Sequence, residues 1–488
     1  MANQYLEGAF APVAQEYTLT DLDVVGRIPD HLDGRYLRNG PNPVAEIDPE
    51  LYHWFTGDGM VHGIRLRDGR AEWYRNRWVR SPRVAAALGE TPPRGDYGLT
   101  PIGANTNVIG HAGRTMALIE AGVAQYELTD ELDTVGVCDF DGTLAGGYTA
   151  HPKRDPQTGE LHAVSYCLLN GNTVQYSVIG VDGRARRTVN VEVTGSPMMH
   201  DFSLTERHVV FYDLPVTFDA RQAAAIGVPR GLRLPARLLL SALIGRVRIP
   251  DPVAARRPGA GGSEAAFPYS WNPRYPARVG VMPRDGGNGD VRWFEVEPCY
   301  VFHPMNAFDD GDTVVLDVVR HEKMFATDHR GPNEGPPTLD RWTVDLADGK
   351  IRESRIDDRG QEFPRVDERV VGRRHRYGYA PAVTGGGTCA DTLLKHDFVG
   401  NRSVTRSFGA GKTVGEFVFN PSTPEAAEDD GVLMGYVYDR STDRSELAIL
   451  DAATLDDLAS VRLPHRVPAG FHGNWVPTAQ TGRGWAAR

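Results

Sequence analysis

Apolar positions along this chain come in short runs, and polar or glycine-containing pairs interrupt them before a helical period can develop. The runs Thr173–Ile179, His208–Tyr212, Thr313–Val319, Arg341–Val344, Val432–Tyr438 and Glu446–Leu450 are rich in β-branched and aromatic residues, as strands are. Asp-Gly pairs at Asp68, Asp141, Asp182, Asp285 and Asp348 stand among such runs. Asp-Gly supplies the two positive-φ positions of a tight hairpin turn, so each pair predicts a strand reversal. Arg341 to Ile356 and Leu447 to Leu463 both read as strand, small acidic turn, strand. Many short antiparallel strands in series predict an all-β architecture of the propeller type. The units are too diverged for blades to be counted from periodicity.

One stretch breaks the alternation. Ala236 to Ile249, between Pro235 and Pro250, reads as a helix. Arg237, Ser241, Gly245 and Arg248 would form one narrow polar stripe, with Leu238, Leu239, Leu240, Leu243 and Ile244 on the remaining surface. Two environments suit that surface: the protein core, capped by the helix, or a membrane interface with the arginines at the head groups. At a rise of ~1.5 Å per residue the helix is too short to cross a bilayer. The Ala-, Gly- and Pro-rich stretch 252–266 predicts a flexible loop.

Composition changes the picture little. The chain has 488 residues, 41% hydrophobic and 24% charged, which is ordinary for a globular protein and enough for a core without staples. Propellers fold as one unit, so a single domain over 1–488, with an apolar helical insertion around 230–250, is expected. A net charge of −11 without any basic block argues against a nucleic-acid partner. Cys138, Cys167, Cys299 and Cys389 form no C-x-x-C, so neither a disulfide framework nor a zinc site is signalled, and a reducing cytoplasm fits. Met1 to Tyr17 lacks the basic and apolar segments of a signal peptide, and no apolar stretch of ~20 residues predicts a transmembrane helix.

Candidate chemistry rests on four of the 15 histidines. A histidine taken singly is more often a core or surface residue than a ligand. These four stand out by their flanks: Ala150-His151-Pro152, Met199-His200-Asp201-Phe202, Phe302-His303-Pro304 and Phe471-His472-Gly473. No helix or turn can join them; only tertiary structure would. Four neutral imidazoles suit a borderline divalent ion such as iron, zinc or copper, and ligand type alone does not choose among these. Metal-bound imidazoles usually donate their other N–H to a carboxylate. Acids set in apolar runs are candidates: Glu120 after Met116-Ala117-Leu118-Ile119, Glu362 before Phe363-Pro364-Arg365, and Glu416 before Phe417-Val418-Phe419. The competing explanation for each is a salt bridge at a strand end, since burying an unpaired carboxylate is costly.

With Arg38-Asn39-Gly40-Pro41-Asn42-Pro43, Gly57-Asp58-Gly59-Met60, Asn105-Thr106-Asn107, Asp213-Leu214-Pro215 and Glu362-Phe363-Pro364-Arg365 added to the histidine words, the chain resembles the carotenoid cleavage oxygenases along nearly its whole length. The resemblance implies a seven-bladed β-propeller with a loop-and-helix dome over the metal axis. It implies Fe(2+) held by His151, His200, His303 and His472, with Glu120, Glu362 and Glu416 orienting three of the imidazoles. Thr106 matches a threonine that crowds one open coordination position in microbial members. The implied reaction adds both atoms of O2 across a C=C bond of a carotenoid or apocarotenoid, giving two carbonyl products. Ile119, Phe55 and Phe302 are the candidates for lining the substrate tunnel. The apolar helix would bring that tunnel to a membrane as a peripheral contact of a cytoplasmic enzyme.

Other readings differ at specific residues. Relatives that cleave stilbenes place a lysine where Ile119 stands, and Tyr97 is the loose match to their phenol-binding tyrosine; an apolar Ile119 favours a polyene. A non-catalytic propeller holding a structural metal would use a closed site built from local ligand pairs. A calcium-dependent hydrolase propeller needs oxygen ligands on its axis.

Overall fold

The computed structural model describes residues 3–97, 103–247, 267–384 and 389–478. The strand read at Thr173–Ile179 forms with those bounds, and the others gain a few residues at their ends, as in His208–Asp213, Thr313–His321 and Gly431–Asp439. They build a seven-bladed β-propeller. Five blades follow one another over 107–138, 153–192, 202–295, 300–357 and 377–407. The remaining two close the circle with strands from both ends of the chain. Gly34–Pro41, Gly59–Arg67 and Arg70–Trp78 take Gly473–Pro477 as an edge strand, in register from Gly34↔Pro477 to Arg38↔Gly473. The last blade, over 412–462, takes Asp23–Gly26 from the start of the chain.

The turn signals separate by context. Asp68 and Gly69 have φ of 50° and 69° and reverse the chain between two paired strands, as the Asp-Gly rule requires. Asp141 and Gly142 are also left-handed, but they lie on the link between blades. Asp285 and Gly286 adopt no positive φ and open a longer connection containing the 3-10 turn Asn288–Asp290. The core is continuous between neighbouring blades; Tyr176, Phe202, Phe211 and Trp342 belong to one buried cluster although they come from three of them.

The fourth blade is interrupted. Between His208–Asp213 and Arg278–Pro283 the chain leaves the sheet, pairs Val216–Phe218 with Tyr269–Trp271, and forms the helices Ala220–Gly227 and Arg233–Leu243. The second helix differs from the expected 236–249. It starts before Pro235, because a proline in the first turn forgoes an N–H that has no helical partner. It ends at Leu243, and Gly245 at φ 74° turns the chain away. Leu234, Leu238 and Leu239, with Leu232 at the N-cap, are 59–66% exposed, so this helix does not cap the core. The expected loop over 252–266 lies outside the described residues. No helix among the described residues is long and apolar enough to cross a membrane.

Candidate metal centre

The edge strands of four blades deliver the four histidines. His151 lies just before Lys153–Arg154, His200 before Phe202–Leu204, His303 within Tyr300–Asp310, and His472 before Gly473–Pro477. All four are buried, and one ligand atom from each lies within 4.8 Å of the others. The remaining blades contribute at the same level. Thr106 precedes Asn107–His111, Glu416 precedes Val418–Pro421, and Glu362 sits between two bridges, Gln361↔Ala382 and Arg365↔Tyr379, on the edge of Tyr377–Val383.

Backbone and amide contacts fix this level. Asn39 exchanges backbone bonds with the histidine loop, its N–H donating to His472 O and its C=O accepting from Phe471 N, each at 3.0 Å. Its side-chain amide donates to Ala104 O and Asn107 O at 2.9 and 3.0 Å. Asn107 in turn donates to Ala150 O at 2.7 Å, immediately before His151. His472 N donates to Thr106 O at 3.0 Å. The Arg38-Asn39-Gly40 and Asn105-Thr106-Asn107 words therefore scaffold the ring. A Cβ at Gly470 would overlap the Arg38 guanidinium, which is buried and held by a hydrogen bond to Pro468 O.

Three imidazoles have a carboxylate behind them. Nδ1 of His200, His303 and His472 lies 2.9, 2.6 and 2.9 Å from Glu120, Glu362 and Glu416. Each of these rings donates through Nδ1 to its glutamate, which leaves Nε2 as a bare lone pair. His200 Nε2 and His303 Nε2 face each other at 3.3 Å, and His151 Nε2 is buried with no hydrogen-bond partner. Lone pairs converging at a buried centre repel one another unless a cation sits among them. The residues therefore fit a nitrogen-ligated divalent ion.

Electrostatics keep Glu362 and Glu416 charged. Burial alone would raise Glu362, but His303 and a fifth histidine, His321 at 3.0 Å, hold it far below the usual carboxylate range. Burial also opposes ionisation of Glu416, and Arg365, His472 and the Gly473 N–H overcome it, bringing the group to about 2. Burial and the neighbouring imidazoles press His151 well below its ordinary value. Burial lowers His303 as well. At His200 burial is outweighed by the charge and hydrogen bond of Glu120, so this group lies above its ordinary value.

The ring divides two cavities of opposite character. One, of about 190 Å³, is walled by Phe55, Ile119, Phe267, Phe302 and Phe363 and is bordered by Thr106, His200, His303 and His472. Phe363 stands at φ 53°, unusual for a bulky residue, and its ring packs 5.5 Å from both His303 and His472. The other cavity, of about 290 Å³, is polar; Asn107, Lys153, Asp201, Asn306 and Arg365 line it, together with His151, His303 and His472. Ile119, Phe55 and Phe302 thus share the apolar cavity with the ring, whereas Tyr97 turns its hydroxyl to Pro93 O and packs against the buried cluster that contains Tyr126. Sequence reading gave no role to His321, Arg365, Phe267 or Phe363. Arg365 and Phe363 stood inside a recognised word, but His321 and Phe267 carry no local signal.

Comparison with known proteins agrees with this geometry. The family described as Retinal pigment epithelial membrane protein matches residues 10–477. A carotenoid cleavage oxygenase of Mycobacterium tuberculosis is 60% identical over 490 residues, covering 98% of each chain. The chain belongs to the carotenoid cleavage oxygenase family. A carotenoid 9,10(9',10')-cleavage dioxygenase of Phaseolus vulgaris is 30% identical over 98% of this oxygenase and 90% of its own length. Among solved structures, cobalt-substituted apocarotenoid oxygenase from Synechocystis superposes with a TM-score of 0.79 at 28% identity, covering 96% of this chain and 97% of that one. The oxygenase is accordingly an oxidoreductase of the dioxygenase class.

Proposed function

We propose that this oxygenase is a non-haem iron(II) enzyme that cleaves a C=C bond of a carotenoid or apocarotenoid with O2, leaving an aldehyde or ketone on each fragment. The observation that carries this reading is the ring itself: four imidazoles, three backed by carboxylates, opening onto an aromatic-walled cavity. His151, His200, His303 and His472 would hold the ion. Iron(II), when bound, supplies the one-electron chemistry that lets O2 react with a closed-shell polyene. Glu120, Glu362 and Glu416 hold the Nδ1–H tautomer of their histidines and supply negative charge that four neutral ligands lack. Phe55, Ile119 and Phe302 keep an extended apolar chain against the ring and exclude water from it. Thr106, at the ring edge of the same cavity, narrows the approach to one position. No side chain needs to act as a general base, because the reaction transfers no proton.

An open cavity at the ring suits catalysis better than a closed structural site. The stilbene alternative lacks both of its residues, since Ile119 is apolar and Tyr97 is turned elsewhere. We read the chain as a single domain over 1–488 of a cytoplasmic enzyme that meets a membrane peripherally. The support is the helix Arg233–Leu243, which shows Leu234, Leu238 and Leu239 to solvent on the excursion whose return strand carries the cavity residue Tyr269. The test is aerobic incubation of iron-loaded protein with β-carotene, a hydroxylated carotenoid, an apocarotenal and a hydroxystilbene. Product masses from a polyene support the proposal, and turnover of the stilbene alone overturns it. Replacing any one of the four histidines with Ala should abolish cleavage and most bound iron; full iron occupancy in a variant excludes that residue as a ligand.

A further inference from the structure

His151 is supported differently from the other three histidines. Their Nδ1 atoms lie 2.6–2.9 Å from glutamate oxygens. The carboxylate nearest in kind for His151 is Asp201, whose Oδ2 is 4.0 Å from His151 Nδ1. That same oxygen accepts a hydrogen bond from Lys153 Nζ at 2.9 Å, while Asp201 Oδ1 accepts from the Phe202 N–H at 2.7 Å. His151, Lys153 and Asp201 all border the polar cavity, and His151 is the ring member that does not border the apolar one. Asp201 is 2% exposed and Lys153 is 22% exposed. A carboxylate that could complete the pattern is therefore present at the ring, but a lysine shares it.

We propose that Asp201 is the fourth outer support of the ring and that Lys153 sets its strength. The inference rests on the metal role proposed for the histidines. Asp201 is a positioning residue, touching neither substrate nor ion. At 4.0 Å its contact with His151 is too long for a direct hydrogen bond, so it acts through its charge, which at this buried position is screened less than at the surface. Lys153 compensates part of that charge. His151 is consequently the least tightly oriented of the four imidazoles, and it is the one that does not border the apolar cavity. Removing the acid and removing the lysine must then act on the ring in opposite directions, which a pair that merely knits two blades together would not do.

Apoprotein prepared by chelation is titrated with cobalt(II), read by the visible ligand-field absorption of the bound ion and by competition with a chelator of known affinity. Asp201→Asn should lower cobalt affinity about tenfold. Lys153→Met should raise it severalfold, because the freed carboxylate then favours a cation in the ring. The Lys153→Met apoprotein should also melt below wild type, with cobalt restoring the difference. Lys153 is partly exposed, so this variant decides the sign even if Asp201→Asn does not fold. Loss of affinity on Lys153→Met, or no change from either substitution, overturns the proposal while leaving the metal reading intact. Wild-type protein that takes up no cobalt overturns the metal reading, and this inference with it.

Discussion

Glu416 and Glu120 make the same kind of contact with a histidine yet are not equivalent. Glu416 also accepts from the Gly473 N–H at 2.8 Å and stands 3.3 Å from Arg365. Glu416→Gln turns an acceptor-only group into one with an NH2 that must face at least one of those donors, whereas Glu120→Gln meets fewer. Both should weaken metal binding ~10–100-fold, but only Glu416→Gln should also lower the melting temperature of the apoprotein clearly; equal melting points would place the Glu416 network outside the fold's stability. A second residue-scale effect lies away from the site. Burial and then Arg284 push His162 down to about 4, and it is neutral where an unfolded-chain histidine is already charged. The unfolded state then binds more protons between the unfolded value near 6.5 and about 4, so stability falls as pH drops through that window, by at most ~3 kcal/mol for this group. His162→Gln should flatten the pH dependence of melting between 6.5 and 4, an expectation checked by thermal scans across that range. At this scale the sequence was legible where a residue stood in a motif word, as His200 or Glu362 did. His321 was not legible, because only the fold carries the end of a strand onto Glu362.

Among the elements, the helix Arg233–Leu243 was legible as a helix from its run of leucines, but its bounds and its surroundings were not. Pro235 looks like a boundary from sequence and is a first-turn residue in fact. The short helices Pro82–Leu88 and Ala220–Gly227 carried their caps, Ser81 and Asp219, in plain view, but too few turns for a period to register. Since Leu238 and Leu239 are exposed, replacing both with Asp should leave the melting temperature within about a degree of wild type. The same variant should bind liposomes less and cleave carotenoid from liposomes more slowly, with a smaller change in detergent micelles. Equal slowing in both media would count against a membrane role. Arg233, Arg237 and Arg246 lie on or just after this helix and would meet anionic head groups, offsetting the repulsion of a chain with net charge −11.

At the scale of the molecule, the blades could not be counted from sequence because they are not alike. The sixth has three strands, the fourth is split by a long excursion, and two borrow strands from the opposite end of the chain. The ring of histidines draws on four of these sheets, so a bound ion would cross-link parts of the chain that are remote in sequence. Stripping it with a chelator should lower the melting temperature, and readdition at a thousandfold excess over Kd should restore it, a stabilisation of ~4 kcal/mol; a melting point indifferent to metal would mean the scaffold alone sets stability. His472 enters only with the strand that closes the propeller, Gly473–Pro477 paired to Gly34–Pro41. A chain whose synthesis has reached only Phe471 therefore carries three of the four histidines and lacks the strand that closes the seam. Any product truncated before that strand lacks both the seam and the complete ring, so the iron proposed for this site would be housed only by chains in which the propeller has closed.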